Sequence, residues 1–74
     1  MTINQYCKNV RENILKISLM ELANKDYNLY QNLWQFEKGN NNRFNNIYYY
    51  FNRLDSWYKP VFKQTIWDLL ECEV

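Results

Sequence analysis

Apolar residues recur at Ile3, Tyr6, Cys7, Val10, Ile14 and Ile17. Steps of three and four place them on one face of an α-helix. A first helix is therefore predicted, capped by Thr2, with Lys8, Arg11, Glu12 and Lys16 on its wet side. Ser18 with Glu21 three residues later is a capping-box pattern, and Ile17 before it can act as a staple. A short second helix, to about Lys25, buries Leu19, Leu22 and Ala23. Asp26, Tyr27 and Asn28 read as the turn. The third helix, 29–38, turns Leu29, Leu33 and Phe36 inward and Tyr30, Gln31, Trp34, Gln35 and Lys38 outward, and Gly39 ends it as a C′ glycine.

A fourth helix is expected over 43–54, with Phe44, Ile47, Tyr48, Phe51 and Leu54 toward the core and Tyr49 and Tyr50 pointing elsewhere. After a cap at Asp55 or Ser56, a fifth helix over 59–71 buries Phe62, Ile66, Leu69 and Leu70; Pro60 is tolerated because it sits near the helix start. The fold expected is all-α: one compact five-helix domain over residues 1–74.

Composition sharpens this picture. A single Gly and a single Pro argue against the many tight turns of an all-β fold. Seventy-four residues lie near the lower limit for a self-supporting core, which three Trp, seven Tyr and four Phe can supply. Two cysteines, Cys7 and Cys72, stand near opposite ends of the sequence. A pair of buried, reduced thiols is the simpler reading, and a bridge between the terminal helices is the other. The sequence has no secretory signal and no apolar run of about 18 residues, so a cytoplasmic protein without a membrane segment is expected.

The net charge of +1 conceals an asymmetry. All nine Lys and Arg lie within residues 1–63 with five acids, whereas residues 64–74 hold three acids and no base. The front of the chain could meet phosphate, and the acidic end opposes it. Dedicated nucleic-acid binders are usually more basic. With no His and no Cys cluster, no metal site is expected. No base stands beside Cys7 in the sequence pattern and the acids are scattered, so neither an enzyme nor a cofactor or small-molecule substrate is expected.

Glu21-Leu22-Ala23 and, after the turn, Phe36-Glu37-Lys38-Gly39 give a spacing that resembles the Cro/repressor-type (XRE-like) helix-turn-helix family. The resemblance covers about half of the chain and implies a lambda-repressor-like arrangement with 29–38 as the recognition helix. Carried over, Tyr30, Gln31, Asn32, Trp34, Gln35 and Lys38 face the partner or DNA, and Lys25 and Arg43, with Lys38, touch flanking phosphates. The family also pairs an Arg of its first helix with the Glu that ends the third. Arg11 and Glu37 are the counterparts here, with Arg11 one position off the usual register; an unpaired, solvent-exposed Arg11 is the other reading.

Three departures bear on function. Tyr27 stands where the family often has Gly, Leu19 where it often has a polar phosphate contact, and Trp34 and Tyr30 sit on a face with almost no positive charge. Tyr and Trp are typical anchors of protein interfaces, although both could also pack under the fourth or fifth helix. The Tyr48–Phe51 run reads either as core with a wet rim or as a platform for stacking bases. The resemblance implies two roles. One is that of the modulator-of-repression proteins of temperate phages: an antirepressor in the bacterial host cell that binds a repressor's DNA-binding domain. The other is that of a Cro-like operator binder, with Gln31 and Gln35 reading bases. The aromatic, nearly neutral face favours the repressor as partner.

Overall fold

The computed structural model describes residues 1–73. Thr2 closes a capping box at the start of α1 (Ile3–Asn9): its hydroxyl accepts from the Gln5 amide at 3.1 Å, and Gln5 Oε1 accepts from the Thr2 amide at 3.0 Å. The helix continues as a π turn over Val10–Leu15 and stops at Lys16, which is left-handed at φ 54°. Ser18 and Glu21 form the expected capping box before α2 (Leu19–Leu22). Asp26 then caps α3 (Tyr27–Glu37), accepting from the amides of Asn28 and Leu29. A 3-10 turn (Phe44–Asn46) leads into α4 (Ile47–Phe51), and α5 runs over Lys59–Glu73. The chain is all-α, as the spacing predicted, with no strand among the described residues.

The core gathers Ile3, Cys7 and Val10 from the first helix, Leu22 and Ala23 from the second, Leu33 and Phe36 from α3, and Tyr50, Phe62 and Ile66 from the last two. Its rings interlock. Phe36 meets Phe44 edge-on at 6.4 Å and Tyr50 at 6.2 Å, and Phe62 lies 5.6 Å from Tyr6 and 6.1 Å from Phe51. Such contacts add to the area burial of large rings.

Local geometry corrects the sequence reading in four places. In the first helix, Ile14 is 45% exposed, while Leu15 and Ile17 pack against the core. The π turn is the cause: its i→i+5 bonds admit about one extra residue per turn and shift the apolar stripe by one position. Arg11, expected on the wet face, is only partly exposed, one turn beyond buried Cys7. The turn after α2 is Ala23–Lys25, with Asn24 and Lys25 at φ 55° and 62°, so Tyr27 and Asn28 belong to α3.

In the fourth helix Tyr48 is 66% exposed and Tyr50 fully buried, the reverse of the expectation. A 3-10 residue turns about 120° rather than about 100°, so three of them rotate the helix beyond them by roughly 60°. This swings Tyr50 inward. Finally, Cys7 is buried as expected, but Cys72 is exposed, and both are free thiols.

Glu37, which the resemblance offered as a partner for Arg11, is buried. Arg11 meets it with two parallel bonds, Nε to Oε2 at 2.8 Å and Nη2 to Oε1 at 2.9 Å. Tyr50 Oη donates to the same Oε2 at 2.8 Å. Arg11 Nη1 also reaches the Ile17 carbonyl at 3.1 Å, which ties down the chain between α1 and α2. The hydrogen bonds to Glu37 hold the Arg11 guanidinium above its ordinary value despite partial burial. Burial, reinforced by the Glu37 charge, pushes the Tyr50 phenol well above its usual range.

Two outcomes are expected. Glu37→Gln leaves a desolvated guanidinium without its counter-charge and should lower unfolding free energy in urea by about 3–5 kcal/mol; Tyr50→Phe, which removes one bond to a charged acceptor, should cost about 1.5–3 kcal/mol. The second outcome concerns alkaline pH. Burial and the nearby Glu37 raise the folded Cys7 thiol from 9.0 to about 12, and burial with the Tyr58 contact raises Tyr6 from 10.0 to about 12. Both groups keep their protons longer in the folded state. The stability they confer is complete below pH 9.0 and is lost as pH rises toward about 12. Melts by circular dichroism should show a falling midpoint across that window, and iodoacetamide at neutral pH should label Cys72 but spare Cys7 until the chain unfolds.

Candidate interaction face

Asp26 sets the phase of α3, and with it the residues that look outward. Tyr27, in the first turn, is exposed and stacks on Tyr30 at 6.2 Å. Gln31 lies one turn on, and its Nε2 donates to the Tyr27 hydroxyl at 3.0 Å. Trp34 is 39% exposed, with Lys38 Nζ 3.9 Å from its ring centroid. A cation held over an indole face at that distance is attracted by the ring quadrupole. Gln35 is half-buried, and its Oε1 accepts from Asn40 Nδ2 at 2.7 Å.

The structure brings Gln31, Asn32, Trp34, Gln35 and Arg43 to the wall of one shallow depression of about 410 Å³, joined there by Asn28 and Asn41. Tyr30, Lys25 and Lys38 lie outside it. Tyr30 is half-buried and leans on the core, while Lys25 holds the left-handed position of the turn and Lys38 follows the last residue of α3. Lys25, Lys38 and Arg43 are all exposed.

Asn32 looks into the fold rather than away from it. Its Nδ2 donates to Oδ1 of the fully buried Asn46 at 2.9 Å, and its own carbonyl accepts from Asn41 Nδ2 at 3.4 Å. Asn4 Nδ2, buried, donates to the carbonyls of Phe36 and Asn41 at 2.7 and 3.2 Å. The Phe36 carbonyl, near the end of α3, accepts from Asn4 as well as from the Gly39 amide at 3.0 Å. The segment 40–43 is thus fastened to both α1 and α3 by side-chain amides, and it carries Arg43 to the edge of the depression.

Tyr27, Asn28 and Asn41 were not expected on this face. A signal for the first two was present: Asp followed by a helical row at 27, 31, 35 and 38 also fits a cap at Asp26. Asn41 depends on a contact with α1 that no local pattern encodes.

Chemically, the face offers aromatic surface, amides and three exposed cations at its margins. No carboxylate lines the depression. Among the described residues, no group of three or more His, Cys, Asp or Glu gathers to hold a metal, and no helix is long and apolar enough to cross a membrane. Compared with known protein families, with curated proteins and with solved structures, the chain matches none.

Proposed function

We propose that this chain is a non-catalytic regulator of a genetic switch, an antirepressor whose α3 face docks on the DNA-binding domain of a partner repressor and keeps it from its operator. The observation that carries this reading is the state of the outward side chains of α3. Trp34 presents its ring, Lys38 lies on that ring, and the amides of Gln31 and Gln35 are engaged with Tyr27 and Asn40. Asn32 is bonded to Asn46. A base-reading helix needs free amides and guanidinium groups aimed at base edges, whereas α3 carries no Arg and its Gln31, Asn32 and Gln35 amides have partners within the chain. A half-exposed indole framed by polar groups suits the anchor-and-rim design of a protein interface.

The operator-binding role retains one support. Lys25 and Arg43 are exposed, as cations that contact phosphates must be. The two readings separate on salt. An AT-rich duplex, titrated by fluorescence anisotropy from low to physiological salt, should bind weakly or not at all. The DNA-binding domain of a repressor encoded beside this gene should bind with only mild salt dependence. Trp34→Ala should weaken that complex by about 2 kcal/mol or more. Unchanged repressor affinity in the Trp34→Ala variant would overturn the docking face. Tight duplex binding that collapses with salt, and that falls when Gln31 and Gln35 become Ala, would replace the antirepressor by an operator binder.

A further inference from the structure

An extended apolar surface lies between α4 and α5 and shares no lining residue with the depression on α3. Two adjoining depressions of about 540 and 370 Å³ share Phe51, Lys63 and Trp67. The first continues past Lys59 and Pro60, and the second past Ile47 and Tyr48. Trp67 is 61% exposed. Among the described residues, the charges on these walls are Lys59 and Lys63, whose ammonium groups stand 5.3 and 5.9 Å from the Phe51 ring centroid. The trough is therefore aromatic at its floor and cationic at its rim, a form that calls for an acidic group beside an aromatic one.

α5 itself carries that pair. Residues four apart share a helix face, and positions 59, 63, 67 and 71 read Lys, Lys, Trp, Glu. Lys63, Trp67 and Glu71 are exposed and Lys59 half-exposed. The row is self-complementary in one sense only. Laid antiparallel on a second row about a two-fold axis at the level of Thr65, Lys59 meets Glu71 and Lys63 meets Trp67, and each meeting occurs twice. Laid parallel in register, every group meets its like. A two-fold contact must be built from one patch that complements itself, and this row meets that condition over about 18 Å of helix.

We propose that the α4–α5 trough receives α5 of a second copy of this chain, forming an antiparallel two-fold dimer. Trp67 of each copy enters the other's trough beside Phe51 and beneath Lys63, and Glu71 pairs with Lys59. The contact is reversible rather than obligatory, because Phe62 and Ile66 are already buried within one copy. An acidic, aromatic segment of another protein has the same chemistry as this occupant. The second copy is favoured because the chain supplies both halves of the complement at matched spacing.

Sedimentation equilibrium of the intact chain, under reducing conditions so that exposed Cys72 cannot cross-link copies, should show a monomer–dimer equilibrium between micromolar and millimolar concentrations. Trp67→Ala should weaken dimerisation by at least about tenfold. Lys59→Glu and Glu71→Lys should each weaken it, and the double exchange should restore most of the loss. Trp57→Ala, also exposed but outside the trough, should leave it unchanged. Circular dichroism melts check that each variant folds. A chain that stays monomeric throughout would overturn the proposal, as would a dimer indifferent to Trp67 and to the charge exchange. A monomer that instead binds an acidic amphipathic peptide at the trough would overturn it too, and would assign the surface to another protein.

Discussion

A carboxylate inside a chain of this size must be fully answered, and the rest of the fold is arranged around that requirement. Glu37 ends α3 in the core, where an isolated charge would cost several kcal/mol. Arg11 supplies a bidentate counter-charge and Tyr50 a phenolic donor. This constrains three other segments. The first helix must carry Arg11, at the start of the π turn, to α3. α4 must present Tyr50 rather than Tyr48, which the 3-10 entry achieves. The link to α2 must pass close by, because Arg11 also holds the Ile17 carbonyl. The 3-10 entry is thus a place where a regular helix yields to one buried ion.

Side-chain amides take the place that glycine and proline hold in other small domains. Asn4, Asn32, Asn41 and Asn46 fasten the 40–46 segment to α1 and α3. Arg53 closes the end of α2 in the same manner, donating to the Glu21 carbonyl at 2.9 Å and to Asn24 Oδ1 at 2.7 Å. Lys16, Asn24 and Lys25 take up left-handed backbone without glycine, a conformation with a steric cost for any residue with a Cβ. The aromatic core offsets these costs, since the rings of Phe36, Tyr50 and Phe62 are fully buried and sit in two ring groups, Phe36 with Phe44 and Tyr50, and Phe62 with Tyr6 and Phe51.

Two surfaces remain after the core is filled, and they differ in kind. The α3 face is shallow and polar, with one indole and its amides internally bonded. The α4–α5 trough is larger, aromatic and rimmed by lysines. The two proposed contacts, a repressor on α3 and a second copy on α5, would fall on separate elements, so either could be altered without unmaking the other.

The helices themselves were legible in the sequence, because caps and periodicity act locally. Thr2, Ser18 and Gly39 mark ends, and the steps at Phe62, Ile66, Leu69 and Leu70 fix the inward face of α5. The pairing of Arg11 with Glu37 entered as an implication of family resemblance, beside the reading of an exposed Arg11, and the structure holds the pair at 2.8 Å. The choice of Tyr50 over Tyr48, the inward turn of Asn32 and the roles of Asn4 and Asn41 could not be read in advance. A run of three tyrosines offers the core three similar side chains, and a rotation of roughly 60° decides among them. That rotation is fixed only when a phenol finds the buried carboxylate from another helix, a contact that local pattern cannot encode and that tertiary packing alone decides.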